Sequence, residues 1–292
     1  IDLGYVPENK SGSSVSKTLE YAYDDWCIAQ MAGVFNQDSL LQIYNRRAQH
    51  FKNVFDLQTG FMRPRLDDGK FKSPFDPLDT HGQGFIEGNA WNYSFYVPHD
   101  PKALIQMMGS EKRFIRHLDS LFTMELPDRY FENTEDIMRA GIIGNYVHGN
   151  EPSHHIPYFY NFTSQPWKTQ RTTRLILRNQ YNLNSEGMGG NDDCGQMSAW
   201  YIFSALGFYP FAPGSTDYSL TTPLIKEAKI QLDSSKILHI TTENNSEGNM
   251  YIQAVYWQRK RLLSPSISHL DLMKGGELRF VLGPNPAPKA FK

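Results

Sequence analysis

A change of hydrophobic period late in the chain limits its fold more than any other feature. Up to about residue 210, apolar residues return at helical spacing. Leu19, Ala22, Trp26 and Ala29 do so in one stretch, and Leu40, Tyr44, Ala48, Phe51 and Phe55 in the next. Recurrence at i, i+3 and i+4 builds amphipathic helices. After about Ser215 the pattern becomes "EAKIQLDSS", "KILHITTEN", "MYIQAVYWQRKRL" and "GELRFVLGP". These are short alternating or β-branched runs between turn residues, which is how strands read. The expected fold is mainly α, with residues 1–214 as paired helices and residues 215–292 as a strand-rich segment. Long loops recur at the helix starts, which suggests an α/α toroid with its site at one end of the helices.

Local punctuation places the helices. One is expected from Ser14 to about Gly33, and a second from Ser39 to Phe55 behind an Asp38 cap. The 56–88 stretch reads as a long loop, a length that is usually functional. A helix is expected from Asn89 to Tyr96. Asp100 and Pro101 suit the N-cap and first turn of another, and Ser110 opens the next, to about Phe122. Thr134, Glu135 and Asp136 look like a helix start reaching to about Val147. Gln165 and Pro166 begin the helix "PWKTQRTTRLILRNQY". The last helix, "CGQMSAWYIFSALGF", is apolar almost all round and is expected to be buried on most sides, ending at Gly207 and Pro210.

Composition narrows the function classes. The 292 residues carry 29 basic and 31 acidic side chains, a net charge of −2. That is not a nucleic-acid footprint. No apolar run reaches the roughly 18 residues of a membrane span. Two cysteines, Cys27 and Cys194, are too few for a disulfide framework and are expected as free thiols. The opening "IDLGYVPENKSG" has no signal-peptide pattern and reads as a loop entering a helix, so the chain is expected to start inside a domain.

Three loops at helix starts concentrate ionisable residues and glycine. In "GFIEGNAW", Glu87 lies between Ile86 and Gly88, with Trp91 a turn later. A carboxyl against an apolar wall can stay protonated and act as a general acid. It can equally be an ordinary acid at a helix N-terminus. In "HGNEPSHH", Asn150 and Glu151 are oxygen donors that suit a hard cation, with His154 and His155 just beyond. A turn with locally bonded histidines is the competing reading, and the absence of HExxH disfavours a zinc protease. In "GMGGNDDCGQMSAW", Asp192 or Asp193 can cap the next helix, which leaves one acid unexplained. Two carboxylates at a concave site can divide labour, one holding and one polarising water. Asp24, Asp25, Trp167, Lys168 and Arg171 are lesser candidates. Nucleotide-binding and acyl-transfer motifs do not occur.

Five segments in order, "SVSKTLEYAYDDWCIAQ", "EGNAWNYSFYVPHD", "GNEPSHHIPYFYN", "QPWKTQ" and "GNDDCGQMSAWYIFSALGFYP", resemble glycoside hydrolase family 92, the calcium-dependent exo-acting α-mannosidases. The resemblance implies a fold in which a β-sandwich precedes an (α/α)6 toroid. This chain would supply the later toroid helices and a closing strand segment, and a missing N-terminal portion would pack against it. It also implies a mannose-containing glycan substrate, inversion at the anomeric carbon, a Ca²⁺ cofactor and a secreted or periplasmic location. Residue by residue, Glu87 matches the general acid and the GNDD acids match the base, Asp193 preferred over Asp192. Asn150 and Glu151 match the calcium neighbourhood, and Trp91, His154 and His155 are the expected sugar contacts. No nucleic-acid or membrane partner is expected. A non-catalytic carbohydrate-binding or structural fragment, and a metal-independent toroid glycosidase, are the alternatives.

Overall fold

The period of Leu19, Ala22, Trp26 and Ala29 is realised as α1 (Ser14–Val34), which buries Leu19, Ala22 and Ala29 and leaves Trp26 half-buried. The computed structural model describes residues 3–130, 141–185 and 187–292. They fall into two compact units, Ile1–Ser153 and His154–Lys292. The expected change from helix to strand near residue 215 lies inside the second unit.

In the first unit, α1 pairs with α2 (Asp38–Arg47), which is shorter than expected and buries no side chain. Leu40, expected in the core, is 45% exposed. Ala48, Phe51 and Phe55 are buried, but they lie beyond the helix. Phe51 and Val54 sit in a 3₁₀ turn, His50–Val54. At three residues per turn, that spacing eclipses them on one inward side. The change of helix type, not a continuous α stripe, is what buries these residues.

The long loop is organised at its start by a hairpin of β1 (Phe55–Asp56) and β2 (Phe61–Met62), beside which Arg63 pairs with Asp56 at 2.9 Å. α3 (Ala90–Tyr93) is a single turn, not the expected helix to Tyr96; Asn89 Oδ1 accepts the Trp91 and Asn92 amides at its start. α4 (Pro101–Met107) is capped by Asp100, and α5 (Glu111–Thr123) by Ser110, both as expected. Each such cap contributes about 1 kcal/mol. The residues expected to open a helix at Thr134, Glu135 and Asp136 lie outside the described residues. The expected end of that helix is instead a hairpin of β3 (Ile142–Ile143) and β4 (Tyr146–Val147). Its two-residue turn is Gly144–Asn145, a strong hairpin signal between β-branched flanks. A Cβ on Gly144 would lie 2.6 Å from Leu121 O, so the turn also needs the bare backbone.

The second unit opens with a 3₁₀ stretch, Ile156–Phe162, that buries Tyr158, Phe159 and Tyr160. α6 (Trp167–Asn179) follows Gln165 and Pro166 as expected. α7 (Gln196–Leu206) is apolar on all sides but buries only Met197, Trp200, Ser204 and Ala205. Tyr201 and Ile202 are 37% and 57% exposed, so the expectation of burial on most sides does not hold. Within this unit, α7 packs on α6 and on β5 (Phe208–Tyr209), which cover one side. Gly207 ends it in the left-handed region, φ 99°, where a Cβ would meet Pro223 at 2.6 Å.

The four strand-like runs all form strands. β6 (Asp217–Leu220), β7 (Glu227–Gln231), β8 (Ile237–Glu243), β9 (Tyr251–Trp257), β10 (Lys260–Arg261) and β11 (Ser266–Ser268) precede a short α8 (His269–Leu272) and β12 (Gly276–Gly283). One sheet runs β10-β9-β12-β8-β7, with β12 parallel to β8 and antiparallel to β9; the other runs β11-β6-β5. Leu238, Ile240, Ile252, Val255, Leu278 and Phe280 form the centre of its core.

Candidate active site

The first turn of an α-helix has backbone amides with no partner inside the helix. In α1, the Val15 and Ser16 amides donate instead to Gly84 O, at 2.9 and 3.2 Å. The Ser16 hydroxyl accepts the Ile86 amide at 3.1 Å. From the other side, Asn150 Nδ2 donates to Glu87 O at 2.6 Å. Between these ties, Glu87 takes a left-handed backbone, φ 52°, and its side chain is exposed. That conformation is uncommon for a residue with a Cβ and persists only where its surroundings impose it. Of the sequence candidates in this unit, Glu87 and Asn150 are thus brought together.

One turn along α1 from Ser16, Glu20 is half-buried and its carboxyl is held above the usual carboxylate range. Burial is the main cause, followed by the Asp24 and Glu87 charges. The Tyr93 phenol is raised, mainly by burial, with the Glu20 and Glu87 charges adding to it. Trp91, expected to wall Glu87, packs elsewhere. Its indole stacks on His117 at 4.1 Å and meets the edge of Phe61 at 5.0 Å. Burial, then the Arg113 charge, pushes His117 down from 6.5 to about 4. A histidine lowered on folding stabilises the protein only while it is neutral. Native stability therefore falls as pH drops from about 6.5 to about 4, because the unfolded chain takes up a proton that the folded one refuses. His117→Phe is expected to flatten that loss in urea unfolding across this range; an unchanged slope would disprove it.

Asn150 is buried, and Glu151 opens a 3₁₀ turn, Glu151–Ser153, with its Oε1 buried. Asp25 is buried in an ion pair with Arg47 at 2.9 Å, while Asp24 is exposed. Asp24 is raised by burial first and by Asp25 second.

In the second unit, His154 and His155 are both buried and face different neighbours. His154 Nδ1 lies 3.2 Å from Gln196 Nε2, and the Trp200 indole donates to His154 O at 2.9 Å. His155 sits against Phe159 and Phe211. The two adjacent acids also separate. Asp192 Oδ1 accepts the Ser198 amide and its Oδ2 the Ser198 hydroxyl, both at 2.9 Å. Asp192 Oδ1 therefore satisfies one first-turn amide of α7, while Oδ2 holds the hydroxyl of the same serine. Asp193 is exposed, and no hydrogen bond of its carboxylate occurs among the described residues. Asp193, Cys194 and Gly195 are consecutive left-handed residues, with φ 45°, 58° and 91°. Cys194, like Cys27, is a free thiol. Lys168, a lesser candidate, places its ammonium 5.7 Å from the centre of the Tyr160 ring.

Ser16, Glu20 and Gln196 were not singled out from the sequence. The i, i+4 spacing of Ser16 and Glu20 puts them on one face of α1, but only the docking of the 84–87 loop gives that face a role. Among the described residues, no three His, Cys, Asp or Glu side chains group to hold a metal ion. Among the described residues, no helix is long and apolar enough to cross a membrane.

A model of the family described as "Glycosyl hydrolase family 92 catalytic domain" matches residues 1–284. The fold is similar to that of a family GH92 α-mannosidase from Bacteroides thetaiotaomicron solved with mannoimidazole. The TM-score is 0.93 and the identity 38%, over 99% of this chain and 38% of that one. It is also similar to a family GH92 inverting mannosidase from Bacteroides thetaiotaomicron VPI-5482, with a TM-score of 0.88 and 33% identity, over 100% of this chain and 41% of that one. A relative in Arthroderma benhamiae, described as an uncharacterized secreted glycosidase, is 24% identical over 97% of this chain and 37% of its own length. The chain thus spans well under half the length of each.

Proposed function

The chain belongs to glycosyl hydrolase family 92, and we propose that it is part of a glycoside hydrolase that removes terminal mannose from α-mannosides with inversion. One observation carries this reading. Its two candidate carboxyls, Glu87 and Asp193, are both exposed and both sit on left-handed backbone, at φ 52° and 45°. Left-handed non-glycine backbone also occurs at Ser13, Asn36, Cys194, Asn244, Gln258 and Arg259. Among the described residues, however, Glu87 and Asp193 are the ones of this kind that carry a carboxyl, and strained backbone is often kept where a side chain must be presented.

The assigned roles follow from bonding. Glu87 is the general acid that gives its proton to the departing glycosidic oxygen. Asp193 is the general base that takes a proton from the attacking water. Both oxygens of Asp192 are occupied by Ser198, so it holds the turn and leaves Asp193 to the water. A base must be ionised and accessible, and among the described residues no hydrogen bond occupies the Asp193 carboxylate. His154, its ring tied to Gln196, is the sugar contact favoured in the second unit. Trp91 remains a proposed sugar contact through the part of its ring that His117 and Phe61 do not cover. We assign the helices of residues 1–214 to the later part of an (α/α)6 toroid. The length of the relatives that this chain does not span would add further substrate contacts. A mannan or N-glycan substrate, with α-1,2 or a related linkage, and a secreted or periplasmic location belong to the same reading; the Arthroderma relative is described as secreted.

A calcium ion suits the donors present. The Asn150 amide nitrogen is spent on Glu87 O, so what this residue can offer a cation is its side-chain carbonyl oxygen. The buried Oε1 of Glu151 is a second hard donor. With two side-chain oxygens from this chain, backbone, water and sugar oxygens would complete the shell. When bound, the ion would polarise vicinal sugar hydroxyls and favour distortion of the ring. Asn150 acts in its own right by anchoring the backbone of Glu87.

The test is an α-mannoside assay on the full-length protein, with product anomer followed by NMR. The first product is expected to be β-mannose. EDTA is expected to abolish turnover and Ca²⁺ to restore it. Turnover unchanged by chelation would remove the metal, and an α-product would remove inversion.

A further inference from the structure

We infer that Ser16 is a positioning residue for the general acid, one that acts through the backbone of the loop bearing Glu87. The inference rests on the reading of Glu87 as the acid and adds a residue to it. Ser16 is 1% exposed, so its polar groups have no water to fall back on. Its amide, with that of Val15, holds Gly84 O. Its hydroxyl accepts the Ile86 amide at 3.1 Å. One serine thus ties the residue before Glu87 to α1.

Next to it in the same loop, Phe85 is buried with its ring 5.8 Å from that of Tyr93, so the ties of Ser16 act on a loop already packed at Phe85. Gly84 is left-handed, φ 83°, and a Cβ there would meet Pro64 at 2.7 Å and Val15 at 3.0 Å, so α1 and the loop are in close contact. Glu87 itself is left-handed and exposed, so no burial of its own side chain holds it. Its backbone is fixed at both ends, by Ser16 through Ile86 and by Asn150 through Glu87 O. Removing the hydroxyl leaves the Ile86 amide without an acceptor and frees the loop to relax from its strained conformation. The carboxyl then samples positions from which it reaches the leaving oxygen less often. Substrates that depend on protonation suffer, and those with good leaving groups do not.

The experiment is Ser16→Ala in the full-length enzyme, assayed on a poorly activated alkyl α-mannoside and on α-mannosyl fluoride. The ratio of the two kcat values is independent of how much enzyme is folded. It is expected to fall about 10- to 100-fold, the scale on which small misplacement of a catalytic group acts. Ser14→Ala is the control: Ser14 is equally buried in the same turn, but its hydroxyl bonds Glu8 at 2.7 Å and not the acid loop. Its ratio is expected to be unchanged. If Ser16→Ala lowers both rates in parallel, or neither, or if Ser14→Ala reproduces the selective loss, the positioning role is overturned. If Glu87→Gln itself shows no selective loss, the reading of Glu87 as the acid falls first, and the role of Ser16 with it.

Discussion

Glu87→Gln is expected to lower kcat on poorly activated α-mannosides by about 10²- to 10⁴-fold, the usual contribution of a positioned general acid. The amide keeps the size and hydrogen-bonding reach of the carboxyl but has no proton acidic enough to transfer. α-Mannosyl fluoride leaves with little protonic help, so its turnover is expected to fall far less. Little change in KM should accompany the loss, because the proton transfer is made only in the transition state. Stability should hardly move, since Glu87 is exposed and the ties on its loop run through the backbone. Equal rates for the variant and the parent on the poor substrate would remove Glu87 from this role.

Asp193→Asn is expected to lower kcat on both kinds of substrate by a similar factor, about 10²- to 10⁴-fold, because water attack is needed whatever the leaving group. Asp192→Asn should behave differently. The Asp192 carboxylate accepts two hydrogen bonds from Ser198 at the start of α7, and an amide can accept with only one of its two terminal atoms. Its first effect should be on stability, by about 1 kcal/mol as for a lost cap, seen as a lowered Tm. Its activity loss should be the smaller and should be accompanied by that shift. The reverse pattern, with Asp192→Asn inactive at full stability and Asp193→Asn nearly active, would exchange the two roles. Adjacent acids with the same composition are thus separable by what their oxygens already hold.

Much of the second unit was legible before folding. The four strand runs formed strands because alternation and β-branching act locally, and the start of α6 followed Gln165 and Pro166 for the same reason. The caps at Asp100 and Ser110 were equally local. What failed depended on packing. The stripe from Leu40 to Phe55 has helical spacing, yet the chain changes to a 3₁₀ turn after Arg47 and buries Phe51 and Val54 by a different period. Where a helix was expected to reach Val147, residues 142–147 form a Gly–Asn hairpin, whose turn signal the acidic residues upstream outweighed in the sequence. α7 is apolar all round, but composition cannot say which neighbours are present to cover it.

The site divides the same way. Glu87, Asn150, Asp192 and Asp193 could be nominated from residue type, because carboxyls and amides beside glycine at helix starts have a limited range of uses. Which acid is spent on a cap and which ring stands beside Glu87 were set by contacts between segments far apart in sequence. Ser16 reaches Ile86 across 70 residues and Asn150 reaches Glu87 across 63, separations over which no local pattern carries information. Propensity and period act over a few residues, so they give the type of each element. A hydrogen bond between distant elements exists only once they have packed, and the strained position of Glu87 depends on bonds of that kind, whereas the turn at Asp193 is held by local ones, from Ser198 to Asp192 and from the Gln196 amide to Asp193 O.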